Sequence, residues 1–227
     1  MGSAPMNFLS HFYFDRNTTD SYHVTGTVLP DLLKNADKHA NVHPEKIERH
    51  EHPYVNSLLD GWKRHLEVDR HFHSSDFFSH HSHQLKKALR PATEGSPVKP
   101  FFLGHIALEL ILDNLLITTQ KVSVDAFYRH LDHTKQEHLH SFWAVSKLPN
   151  PDVFFKFWAE FKHHRYLHSY AEASQVAYAL KRICMRVWKD PFTPEQEAML
   201  TDAVIAYRAQ LLPDFMLIFD EIESYLD

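Results

Sequence analysis

The sequence predicts an all-α fold, a single-domain helical bundle, and three observations predict it. Positions of one character recur at three- and four-residue spacing, as in Leu58, Trp62, His65, Asp69 and Phe72, while strand-like alternation is scarcely found. Five glycines in 227 residues are few turn-formers for a many-stranded sheet, and no Gly-rich phosphate loop can be assembled from them. A hydrophobic content of 44% suffices for a real core and excludes disorder of the whole chain.

The elements follow from this periodicity. Helices are expected near residues 17–38, 52–72, 75–90, 100–120, 123–146, 151–164, 166–188 and 194–225. The last has the clearest start. Thr193-Pro194-Glu195-Gln196 offers an N-cap Thr, a Pro at the first helical position and a Gln three residues on. Residues 90–97 carry turn formers without apolar periodicity, so they read as a loop and the one candidate domain break. The leader Met1-Gly2-Ser3-Ala4-Pro5 has neither a basic nor an apolar region and reads as an expression scar before a domain spanning 6–227.

Residues 101–118 are apolar enough to suggest a membrane span, but His105, Glu109, Asp113 and Asn114 interrupt them. A carboxylate at the centre of a bilayer costs a few kcal/mol, so a buried core helix without a membrane is expected. The net charge of −5 lacks the basic excess of a nucleic-acid binder. One cysteine, Cys184, forms neither an internal disulfide nor a thiolate zinc site, which points to a reducing, cytoplasmic setting. The 20 histidines are the unusual number.

Helical-wheel arithmetic places some of them on buried faces. With His65 at zero, Leu58, Trp62, Asp69 and Phe72 fall within about 60° of it, whereas Lys63, Glu67, Asp60 and Arg64 fall between about 160° and 260°. Along residues 101–118 the same arithmetic gathers His105, Glu109 and Asp113 into one polar stripe across an apolar helix. Two inward pairs, His-x-x-x-Asp and His-x-x-x-Glu, offer up to four imidazole and carboxylate ligands for a first-row metal. Spacing alone leaves the alternative open, a His–carboxylate hydrogen-bonded core network without a metal.

Other features take the plainer reading. His71, His73, His80, His81 and His83 are expected on a solvated face, and His130, His133, His138 and His140 on the surface. Phe154, Phe155, Phe157, Trp158 and Phe161 are expected in the core. Lys86, Lys87 and Arg90, and separately Lys181, Arg182 and Arg186, are helix-surface charges that as patches could meet an acidic partner.

The opening Met6-Asn7-Phe8-Leu9-Ser10-His11 resembles the start of the acyl carrier protein phosphodiesterase family. Gly26 and Asp31 match that family's Gly-Asn-x-x-x-Asp-Phe stretch, and Gly61, His65 and Asp69 match its Gly-x-x-x-His-x-x-Ile-Asp element with Val68 before the acid. Residues 100–116 lie where the family has a Pro followed by an Asp-x-x-x-Asp-His-Phe-Leu helix, and residues 170–186 have the length and ends of its Tyr…Arg helix. This chain departs from the pattern in the central helix, where His105, Glu109 and Leu110 replace the two Asp and the His.

The resemblance implies an HD-domain-like, divalent-metal phosphohydrolase, Mn²⁺ favoured and Fe or Zn next, that releases 4′-phosphopantetheine from holo acyl carrier protein. Carried over, it implies His11, Asp31, His65, Asp69, His105 and Glu109 as metal ligands, with Asp69 or Glu109 alternatively orienting the attacking water and Lys34 holding the phosphate. Acyl carrier proteins are acidic, so the basic clusters become docking candidates. Two rivals are carried alongside: a metal-dependent hydrolase of another phosphate ester, and a non-enzymatic helical binding protein with a structural His/acid network. A di-iron carboxylate bundle fits less well, because it wants paired Glu-x-x-His motifs.

Overall fold

In the computed structural model, which describes residues 8–37, 43–148 and 150–226, every regular element is helical, as the periodicity requires. In chain order these are α1 (Phe8–Phe14), α2 (Ser21–Ala36), α3 (Pro53–Ser74), α4 (Asp76–Ala88), α5 (Arg90–Thr93), α6 (Pro100–Thr118), α7 (Val124–His133), α8 (Gln136–Val145), α9 (Pro151–His164), α10 (Ala173–Met185), α11 (Pro194–Leu211) and α12 (Met216–Leu226). Short 3₁₀ turns stand at Pro44–Lys46 and Tyr166–Ala171. The leader Met1–Pro5 and the Met6-Asn7 half of the opening motif lie outside the described residues.

Several boundaries differ from expectation for local reasons. The helix α1 had no counterpart in the periodicity, being only seven residues long. The expected helix over 123–146 is two helices, because Thr134 takes an extended conformation and its hydroxyl bonds back to the carbonyls of His130 and Ser21. The helix over 194–225 stops at Leu211, and Pro213 explains the break: it has no N–H, and its ring clashes with a preceding carbonyl. The loop expected over 90–97 begins as the one-turn helix α5 with Pro91 in its first turn, before Gly95 turns the chain at φ 73°. The start of α11 is as expected: Thr193 and Gln196 exchange both hydrogen bonds of a capping box.

The chain gathers into two compact units, each assembled from separate stretches. Unit 1 takes Met1–Ser10, Arg70–Lys121 and Leu167–Asp227, and unit 2 takes His11–Asp69 and Val122–Tyr166.

In unit 1, α6 is the core helix, buried continuously from Leu103 to Leu116 and packed by α4, α10 and α11. It is long and apolar enough to cross a membrane, and 78% of its apolar window is covered by protein, as expected of a core helix. Its polar residues have dedicated partners. Asn114 donates to the carbonyls of Tyr170 and Ala171 and accepts from Arg208 Nε. Gly104 lets α6 touch α4 closely, since a Cβ there would press on the backbone of Ser82 and Lys86.

In unit 2, α2 packs on α7 and α9. Gly26 and Gly61 mark where α2 meets α3: a Cβ on either would drive into backbone of the other helix, at the Leu58 carbonyl or the His23 carbonyl. The aromatic residues of α9 form core as expected, with Phe154 stacked on Trp143 at 4.2 Å and Phe155, Trp158 and Phe161 buried, while Phe157 is half-buried.

Candidate metal centres

Unit 2 gathers four of the expected residues. His11 comes from α1, Asp31 from α2, and His65 and Asp69 from successive turns of α3. The His11 and His65 rings stack at 3.9 Å. His11 Nε2 lies 3.5 Å from Asp69 Oδ1, and His65 Nε2 lies 3.7 Å from Asp31 Oδ1 and 3.8 Å from Asp69 Oδ2. These separations are long for hydrogen bonds but close to the edge of a tetrahedron built on metal–ligand bonds of about 2.0–2.1 Å, about 3.3 Å.

Two further details fit a cation. The His11 side chain is fully buried, and neither ring nitrogen has a hydrogen-bond partner among the described residues. Leaving such a group unsatisfied costs about 1–3 kcal/mol, which a metal ligand role removes. His65 Nδ1 donates to the Thr27 carbonyl, leaving Nε2 as the lone-pair nitrogen toward the carboxylates. Asp69 is the more open member, its side chain 20% exposed against 4% for Asp31. Lys34 is exposed in the last turn of α2, one turn beyond Asp31.

Unit 1 contains the remaining expected pair, with an addition. His105 Nε2 lies 2.9 Å from Glu109 Oε1, and His73 Nε2 lies 3.1 Å from His105 Nε2 and 3.5 Å from Glu109 Oε1. Three ligand-type atoms thus converge, with the edge of Phe78 against both rings. The expectation that His73 belongs to a solvated face is corrected: its side chain is only 20% exposed. The signal was present, since His73 lies about 80° from His65 on the wheel, on the same side as Trp62. Three more histidine expectations are corrected, the first being His130, which is half-buried and bonds to the Ser21 hydroxyl at 3.0 Å. His81 bonds to the Tyr207 hydroxyl at 2.8 Å, and half-buried His138 bonds to the Tyr22 hydroxyl at 2.6 Å.

Asp113, the third member of the polar stripe, has a structural task instead. Its carboxylate accepts from Leu9 N–H, Ser10 N–H and the Ser10 hydroxyl at 3.1, 2.8 and 2.6 Å, satisfying N–H groups in the first turn of α1. Burial pushes its pKa up to about 7 from 3.8, against the opposing pull of those three hydrogen bonds.

Both groups, His11/His65/Asp69 and His73/His105/Glu109, are therefore able to hold a metal ion. Comparison with protein families, with curated proteins and with solved structures finds no match to this chain.

Proposed function

We propose that this protein is a cytoplasmic, metal-dependent phosphodiester hydrolase similar to the acyl carrier protein phosphodiesterases. The observation that carries the reading is the convergence of His11, Asp31, His65 and Asp69, four residues matching the motifs of that resemblance, around a buried imidazole lacking hydrogen bonds. A divalent cation, Mn²⁺ first, supplies Lewis acidity and neutralises charge on the phosphoryl oxygens.

The chain's own residues supply the rest. The Thr27 carbonyl fixes the tautomer of His65, and buried Asp31 holds negative charge beside Nε2. Asp69, the partly exposed member, orients the attacking water and takes its proton. Lys34 presents an ammonium to the phosphate. Water then cleaves the P–O bond to the carrier serine, giving the serine hydroxyl and 4′-phosphopantetheine. The test is mass spectrometry of holo acyl carrier protein incubated with Mn²⁺-loaded protein. Conversion to the apo form supports the reading, and its absence refutes the carrier as substrate. A panel of phosphate esters then distinguishes another hydrolase.

A structural role for His73, His105 and Glu109 is a second reading, favoured by one observation: 2.9 and 3.1 Å are also hydrogen-bond lengths. Under it, His105→Ala lowers the melting temperature equally with and without chelator.

A further inference from the structure

Beside the close contact at Gly104, α4 and the start of α6 form a groove in unit 1 of about 530 Å³. Lys86, Lys87, Arg90 and Lys99 line it, and His83, Pro100 and Phe101 complete its wall. No carboxylate lines it, and none of the four cations forms an ion pair among the described residues. The other basic cluster differs, because Lys181 there is paired with Glu197. Four unopposed cations in one groove repel one another and leave a positive potential that an anion relieves.

The field is felt locally. Lys87 first, then slight burial and Lys86, hold the His83 imidazole below its ordinary pKa, as a cation-rich surround requires. Phe101 is 66% exposed in the midst of these charges, offering a flat apolar face to a ring. Pro100 opens α6, and Lys99 gives it no side-chain cap, so the positive end of that helix adds to the field. A second pocket of about 410 Å³ shares His83, Lys86 and Phe101 and continues to Ser79, Ser82 and His73. Both volumes fall within the range of small-molecule sites.

We propose that this groove binds an organic phosphate of the nucleoside diphosphate kind, its phosphates among the four cations and its flat ring on Phe101. Charge alone would suit any polyanion. The exposed aromatic ring within the charge cluster selects a ligand combining phosphate with a stacking surface. The hydroxyls of Ser79 and Ser82 in the adjoining pocket supply neutral hydrogen-bonding groups toward the sugar. The proposal does not rest on the hydrolase reading, since no residue of the unit 2 group takes part.

The test is isothermal titration calorimetry of the full chain in excess EDTA, with ADP and inorganic pyrophosphate as probes. ADP is expected to bind more tightly than pyrophosphate. Phe101→Ala weakens ADP about five- to tenfold and leaves pyrophosphate unchanged. Lys87→Ala/Arg90→Ala weakens both, with a flatter salt dependence. All three positions are exposed, and unchanged melting curves confirm that the variants fold. His65→Ala is expected to keep ADP binding, and a wild-type protein that is inactive on carrier yet binds ADP refutes only the proposed activity. No saturable ADP binding, equal affinity for both probes, or indifference of ADP to Phe101→Ala overturns the proposal.

Discussion

His65 Nδ1 lies 2.8 Å from the carbonyl oxygen of Thr27, and because a carbonyl only accepts, that nitrogen carries the proton. One turn further along α2, Asp31 stands 3.7 Å from the opposite nitrogen of the same ring. A single helix thus sets both the tautomer and the electrostatic surroundings of His65. Metal-binding histidines are usually held in this way, through their second nitrogen.

Metal content follows directly. Protein purified without a metal-affinity step and loaded with Mn²⁺ is expected to retain metal through dialysis, as read by elemental analysis. His11→Ala/His65→Ala loses the unit 2 share and His73→Ala/His105→Ala the unit 1 share. Each loss exceeds the roughly 10–100-fold effect on affinity typical of outer-shell changes. Equal metal in all three proteins contradicts both sites.

Chelation should also register in stability. Metal present at about 100 times its dissociation constant stabilises the folded state by about 2.7 kcal/mol. At about 2–4 °C per kcal/mol for a chain of this size, EDTA lowers Tm by about 5–10 °C. Calorimetry of His11→Ala/His65→Ala should show most of that drop removed.

Asp113 makes stability depend on pH in a defined direction. Its folded pKa of about 7 lies above the unfolded value, so its contribution is complete below about pH 4 and is lost as pH rises through about 7. Urea denaturation of wild type and Asp113→Asn isolates this from the histidines. From about pH 5 to about pH 8 the wild type should lose on the order of 2 kcal/mol relative to the variant. A pH-independent difference refutes the assignment.

Gly61→Ala tests the meeting of α2 and α3. The added methyl would press on the His23 carbonyl and the Gly26 backbone, which are not flexible side chains that can move aside. Overpacking of this kind costs about 1–3 kcal/mol or more. The expected result is a lower Tm and weaker metal retention in unit 2, with unit 1 metal unchanged.

How much of this could be read from residue order varies with the interaction. The pairs His65/Asp69 and His105/Glu109 lie one helical turn apart, so periodicity alone placed each pair on one face. Their joining to His11, Asp31 and His73 depends on contacts between helices, which no local period encodes; family resemblance brought in the first two, and His73 was missed. Helix breaks followed the same division. The capping box at Thr193 is a local code, whereas the break at Thr134 depends partly on the Ser21 carbonyl, 113 residues away. Asp113 could be placed only in a polar stripe, because a wheel cannot show the N–H groups of Leu9 and Ser10 that bond to it.

That last contact orders events during synthesis. Leu9 and Asp113 are separated by 104 residues, so at about 5–20 residues per second the ribosome needs roughly 5–20 s to deliver the carboxylate after the amide. Until then the opening turn of α1 can satisfy its N–H groups only with water. The helix α1 is thus completed by a residue 104 positions further along the chain, and a nascent chain stalled short of residue 113 would keep that turn frayed and open to proteases.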